Sequence, residues 1–352
     1  MNLGFQADTL KEFGASPPEV EELLRYNENV FDLSGLRSGA ELPLPDEPFA
    51  AVWEEWAETA RQRGAFAVLR EHLPQLRFPI REGISATEAY RAATLRGVSP
   101  EEILEAAGLD LPHPELVEIV LHESPAGRIP LVIARGREEF VALLRALARK
   151  NEPAPVPAPQ GALMISGYNN WTRIRALGAG FQGRETPKEL YQDRFILLSN
   201  GFYSAVPAAD LGLAEEEWSE MSLVIRREHE CVHYLTRRLF GSMRNNVLDE
   251  ILADYAGITA AAGRFRADWL LRFLSARLDL YRGDPPLSDG AFRVLRALLE
   301  AAAENIERWD GPGDRTARIL ALASLRLEDL ASSEAEILLA GALARVWTRA
   351  VA

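Results

Sequence analysis

The chain has 352 residues, 47% of them hydrophobic and 26% charged, the composition of a globular protein with a sizeable core. Thirty-nine basic against 52 acidic residues leave a net charge of −13, which would repel a polyphosphate backbone and argues against a nucleic-acid partner. Cys231 is the only cysteine, so no internal disulfide framework exists, and no window approaches the roughly 18 uninterrupted apolar residues that a membrane span needs.

The opening residues, Met1 to Asp8, show neither a basic leader nor a following apolar stretch, so the expected compartment is the cytoplasm. In the first half, three helix starts are signalled by a Ser that can cap free amides with a Glu three residues on: Ser16 with Glu19, Ser85 with Glu88, and Ser99-Pro100 with Glu102. Val117 to His122 and Ile129 to Ala134 are β-branched runs around the turn Ser124-Pro125-Ala126-Gly127, a strand, turn, strand unit. A helix from Arg137 to Lys150 follows. Next, the alternating prolines of Glu152 to Pro159 remove amide donors and favour an extended chain. A domain boundary is expected there, giving an N-terminal α/β domain over 1–150, a Pro-rich linker over 151–161 and a second domain over 162–352.

Beyond the linker, Ala162 to Ser166 and Arg194 to Ser199 read as strands, with a loop-rich stretch between them containing Tyr168-Asn169-Asn170-Trp171. Within it, Gly178-Ala179-Gly180-Phe181-Gln182-Gly183 fits G-x-G-x-x-G. No convincing strand precedes these glycines and Thr186-Pro187 starts a new helix after them, so they read as a mobile loop and not a phosphate loop. A long helix is expected from near Ala214, where Glu215, Glu216 and Glu217 favour the positive end of its dipole, to Phe240, with Gly241 ending it. From Phe265 onward the pattern is helical, with starts at Ser288, Asp314 and the Ser333 to Glu336 box.

The long helix carries His229-Glu230-Cys231-Val232-His233, an H-E-x-x-H motif. Residues four apart share a helix face, so both imidazoles can reach one ion while Glu230 sits beside them, able to address a water on it. A catalytic zinc normally has three protein ligands, and the next helix supplies the third. Asn246 can cap that helix with Asp249 three residues later, which puts Glu250 in its first turn and Asp254 one turn further on the same face. Glu250 is the expected third ligand. Asp254 is expected to accept a hydrogen bond from the distal nitrogen of a ligand histidine and fix its tautomer.

This pattern resembles that of the gluzincin, thermolysin-like zinc metallopeptidases, in which H-E-x-x-H is followed on a second helix by a ligand Glu and an Asp four residues beyond. The match at His229, Glu230, His233, Glu250 and Asp254 is complete in residue type and covers about Met221 to Gly257, with 16 residues between His233 and Glu250. The resemblance implies an α+β, predominantly helical fold. Its zincin-like catalytic domain would combine a small sheet, the H-E-x-x-H helix and the ligand helix. It also implies one Zn²⁺ and a peptide or protein substrate, hydrolysed with Glu230 as general base. Tyr168, Tyr203, Arg244 and Tyr255 are the candidates for oxyanion or substrate contacts.

Other readings use the same residues. On one, the two helices only trade i, i+4 salt bridges, but that requires two motifs at compatible spacing to coincide. A structural zinc site would normally have four ligands and more cysteine. A di-iron carboxylate oxidase needs a second E-x-x-H, and none occurs. A non-catalytic metal-binding or partner-recognition protein on a peptidase scaffold would keep the same ligands. Cys231 reads as a small packed hydrophobe. The arginines at 226, 227, 237, 238 and 244 read as salt-bridge partners before anion receptors.

Overall fold

The computed structural model describes residues 3–34, 41–275, 277–311 and 313–350, the side chains of Arg184 and 347–350 left aside. They form two compact units: unit 1 comprises Met1–Leu44 and Phe202–Ala352, unit 2 Pro45–Gly201. Helices α1 (Leu3–Glu12) and α2 (Pro17–Tyr26) open unit 1. As expected, Glu19 reaches back to the Ser16 N–H, at 2.7 Å.

Unit 2 holds α3 (Ala50–Arg63), α4 (Ala65–His72), α5 (Glu88–Arg96), β1 (Val117–His122), β2 (Ile129–Ala134), α6 (Arg137–Ala148), β3 (Ala162–Asn169), α7 (Trp171–Leu177) and β4 (Gln192–Ser199). Its sheet has the order β1-β2-β4-β3, with β2 parallel to β4 and the other pairs antiparallel. Every residue of β2 is buried, as a central strand requires. Trp53 packs on Phe195 at 4.9 Å and donates from Nε1 to Asp193 Oδ2 at 2.9 Å, seating α3 on the sheet.

The two compact units meet at Leu44–Pro45 and Gly201–Phe202, and not at the expected boundary over 151–161. Prolines strip donors from that segment but leave its carbonyls, and α6 satisfies them: Arg145 Nε donates to Ala154 O at 2.9 Å, and Arg137 to Pro157 O at 2.9 Å and Gln160 O at 2.7 Å. The segment lies along unit 2, and all four strands form one sheet. The strands at 162–169 and 192–199 thus do not share a unit with the H-E-x-x-H helix, as a single domain over 162–352 would have required. Two helix starts also shift. Thr87, not Ser85, caps α5 by accepting from Tyr90 N at 3.2 Å. Ser99 heads only the 3₁₀ turn Pro100–Glu102, and the stretch after Thr186-Pro187 only the turn Lys188–Leu190.

Unit 1 resumes with α8 (Glu215–Phe240), ended by Gly241 in the left-handed region as the sequence indicates. It continues through α9 (Asn246–Ala262), α10 (Ala267–Ser275), α11 (Asp289–Trp309), α12 (Arg315–Ala323), α13 (Leu327–Ala331) and α14 (Ala335–Ala350). Ser288 and Asp314 cap α11 and α12 through the N–H groups of Ala291 and Thr316. The N-terminal chain belongs here because its polar side chains fasten to the C-terminal helices: Gln6 to Asp329, Asn27 to Glu328, and Asn29 to the carbonyls of Ala323 and Leu325. The fold is α+β and mostly helical. Among the described residues no helix is long and apolar enough to cross a membrane.

Candidate metal centre

Helices α8 and α9 form the hairpin expected around the H-E-x-x-H motif. Their close approach depends on Gly257, where an added Cβ would come within 2.7 Å of the Ile225 carbonyl oxygen. Along this contact α8 presents His229 and His233 and α9 presents Glu250 and Asp254, all buried.

His229 Nε2 lies 3.0 Å from His233 Nε2, and the Glu250 carboxylate is 3.8 Å from the first and 3.7 Å from the second. Tetrahedral donors at zinc bond lengths of about 2.0–2.2 Å stand roughly 3.3–3.6 Å apart, so the three observed separations bracket that spacing. Among the described residues these three form the one group of His, Cys, Asp or Glu side chains with donor atoms close enough for a shared ion.

The other ring nitrogens decide what the Nε2 atoms offer. His229 Nδ1 is 2.9 Å from Asp254 Oδ1, the partner the sequence assigns, and Tyr203 donates to the same oxygen at 2.5 Å. His233 Nδ1 is 2.9 Å from Asp249 Oδ2, although the approach is not that of a straight hydrogen bond, and Asp249 Oδ1 is buried without a partner. A carboxylate against each Nδ1 requires a proton there. Both Nε2 lone pairs then point into the same small space, an arrangement that a cation between them relieves.

Asp249 is not the capping partner expected of it. Asn245 precedes α9, and Asn246 enters it at φ 52 with its side chain donating to Tyr26 O at 2.6 Å. That frees Asp249 to face His233.

Two further residues complete the centre. Arg277 donates to Asp254 Oδ2 at 2.7 Å and stands 3.2 Å from Glu250 Oε2, while burial and the charge of Glu250 push the Tyr281 hydroxyl well up. Burial opposes ionisation of Asp254, but Arg277 and His229 outweigh it and bring its pKa down to about 2. Burial likewise opposes a charged His233, yet Asp249, Glu250 and Glu230 push its pKa up to about 10. The pocket favours positive charge.

A family of unknown function, DUF7005, matches residues 8–334. The chain belongs to this family. The DUF7005 match runs through both units and takes in every residue of the centre. No curated protein and no solved structure matches the chain.

The remaining sequence candidates fall in different places. Glu230 is at the edge of burial, 9% exposed, and its carboxylate makes no hydrogen bond or ion pair with a described residue, although its charge acts on His233. Tyr203 does reach the centre, wedged between the Arg226 and Arg277 guanidiniums at 5.6 and 5.8 Å from its ring. Its hydroxyl is committed to Asp254 and His229 and so braces a ligand. The Tyr255 hydroxyl is taken by Asp310 at 2.7 Å, Arg244 is exposed on the connection between α8 and α9, and Tyr168 belongs to unit 2, where it donates to Leu147 O. Cys231 is 3% exposed and burial pushes its thiol well up, as for a packed apolar residue.

Arg277 and Tyr281 escaped the sequence reading because they follow the motif by more than 20 residues with no helical register to link them. Asp249 had a signal: it stands 16 residues beyond His233, beside the ligand Glu250.

Proposed function

We propose that the protein is a zinc-dependent hydrolase that cleaves peptide or amide bonds, with His229, His233 and Glu250 as metal ligands and Glu230 as general base. The observation that carries this reading is the pair of Nε2 atoms 3.0 Å apart beside the Glu250 carboxylate, each imidazole oriented by its own Asp. Two imidazoles and one carboxylate are a catalytic donor set, which leaves a coordination position open, whereas structural zinc sites close with a fourth protein ligand. The di-iron alternative lacks a second converging donor group among the described residues.

A bound zinc ion supplies Lewis acidity, polarising a carbonyl and acidifying a water. Glu230 adjoins the ligands in sequence and its carboxylate is free of side-chain partners, so it can take the proton of the attacking water and return it to the leaving amine. Asp254 and Asp249 hold the imidazoles with Nε2 inward. Arg277 holds the Glu250 carboxylate and limits the negative charge of the pocket.

Elemental analysis of the purified protein, followed by cleavage of a peptide library by wild type and Glu230→Gln, tests the proposal. About one zinc per chain is expected in both proteins, with turnover reduced about 10²- to 10⁴-fold in the variant. Absence of zinc binding, or undiminished cleavage by a metal-loaded Glu230→Gln protein, refutes it.

A further inference from the structure

Unit 2 contains a cavity of about 600 Å³ bordered by α5, the turn after α6 and the end of β3. That volume suits a small organic molecule. Much of the wall is apolar, contributed by Tyr90, Leu95, Leu147 and Tyr168.

Arg91 and Lys150 also line it, and neither side chain makes an ion pair or hydrogen bond with a described residue. In a chain with 52 acidic residues against 39 basic ones, two unpaired cations at one cavity are a specific feature, and Lys150 is one of only three lysines. The acid nearest in sequence, Glu152, is engaged by the backbone N–H groups of Gly83 at 2.8 Å and Ser85 at 3.0 Å, and makes no ion pair with either cation.

The backbone at this rim is strained. Lys150 and Asn151 are consecutive non-glycine residues at φ 53 and φ 61, a conformation that side chains with a Cβ disfavour and that folds retain where the surroundings enforce it. Asn151 enforces it here. It is fully buried and its Nδ2 donates to Gln75 O at 3.0 Å and Phe78 O at 2.8 Å. Opposite, β3 breaks register between Ser166 and Tyr168, with Gly167 at φ 81 in the cavity wall.

We infer that unit 2 carries a binding site, separate from the metal centre, for a small organic acid. Its carboxylate would sit on Arg91 and Lys150 and its apolar body against Tyr90, Leu95 and Leu147. An N-acylated apolar amino acid has both groups, and N-acetylphenylalanine is the probe.

Calorimetric titration of the full chain with N-acetylphenylalanine is expected to show saturable binding at millimolar concentration or below. The neutral amide of the same compound should bind at least about tenfold more weakly. Arg91→Gln and Lys150→Gln should each lower affinity about tenfold, with unchanged melting temperature and zinc content. Acetylation mapped by mass spectrometry should show Lys150 protected by the probe while Lys11 and Lys188 react as before. Equal binding of acid and amide, indifference to both substitutions, or no protection of Lys150 would overturn the assignment. None of these readouts involves hydrolysis, so the two proposals fail separately.

Discussion

Arg277→Met distinguishes a metal centre from a buried salt-bridge network of the same shape. Arg277 lies 2.7 Å from Asp254 Oδ2 and 3.2 Å from Glu250 Oε2, and methionine keeps much of its bulk without its charge. Removing one partner of such a group leaves buried carboxylates uncompensated, at about 3–5 kcal/mol. Unit 1 has 44 residues up to Leu44 and 151 from Phe202, a size at which 1 kcal/mol moves the melting temperature by roughly 2–4 °C. The variant should therefore melt roughly 6–20 °C below wild type in chelator. A divalent ion on Glu250 restores positive charge against the same carboxylate, so in saturating zinc the deficit should shrink by at least about 1 kcal/mol. By linkage, the variant then binds zinc about fivefold more tightly or better. Differential scanning calorimetry of both proteins, in chelator and in zinc, measures all four corners of this cycle. An equal deficit in both conditions, or no stabilisation of either protein by zinc, would mean that Arg277 closes an ordinary ion-pair network and that the metal reading is mistaken.

Three other outcomes follow from the structure. Asp249→Asn leaves the three ligands intact but removes the carboxylate behind His233, and zinc affinity measured by chelator competition should fall about 10- to 100-fold. An unchanged affinity would assign Asp249 no part in the centre. Gly257→Ala places a methyl against the Ile225 carbonyl, so chemical denaturation should show a loss of about 1–3 kcal/mol, and a variant as stable as wild type would contradict the close helix crossing. Glu328 gives the pH dependence: burial raises its pKa from 4.5 to about 7, and its Oε2 has no hydrogen-bond partner. Between those values the folded state holds the proton more tightly than the unfolded one, so this group's contribution to stability falls as pH rises and levels off above about 7. Glu328→Gln should thus match wild type near pH 4 and exceed it at pH 8 by roughly 2–4 kcal/mol in urea denaturation. A gain of equal size at both pH values would show that ionisation is not its source.

How much of this was legible in the sequence depended on the range of the interaction. α8 begins and ends where its acidic first turn and Gly241 place it, because those are local backbone effects. His229, His233, Glu250 and Asp254 converge because i, i+4 spacing fixes a helix face. The partition of the chain was not legible, since it rests on contacts such as Asn27 with Glu328, whose separation leaves no periodic trace. The prolines after α6 misled for a physical reason: a missing donor is visible in the residue type, but the arginines that satisfy the remaining carbonyls are known only from geometry. Asp249 misled because an Asp three residues past an Asn is a common cap, and only the positive φ of Asn246 shows that the chain enters the helix differently.

The arrangement of charge bears on which cation the centre is built for. A proton could bridge the two Nε2 atoms, and the carboxylates of Asp249, Glu250 and Glu230 around His233 favour it. One proton, however, satisfies one lone pair on each ring and leaves Glu250 3.7–3.8 Å from both, too far for a hydrogen bond. A zinc ion, with bonds of about 2 Å to each of three donors, uses all three at once. Four buried or nearly buried carboxylates, Glu230, Asp249, Glu250 and Asp254, face one guanidinium, Arg277, and two imidazoles. With the imidazoles neutral that is a net charge of −3 in a small volume, and a single proton leaves −2 where a divalent ion leaves −1. Burial makes each uncompensated charge costly, so the same carboxylates that raise the proton affinity of His233 favour the doubly charged occupant more strongly.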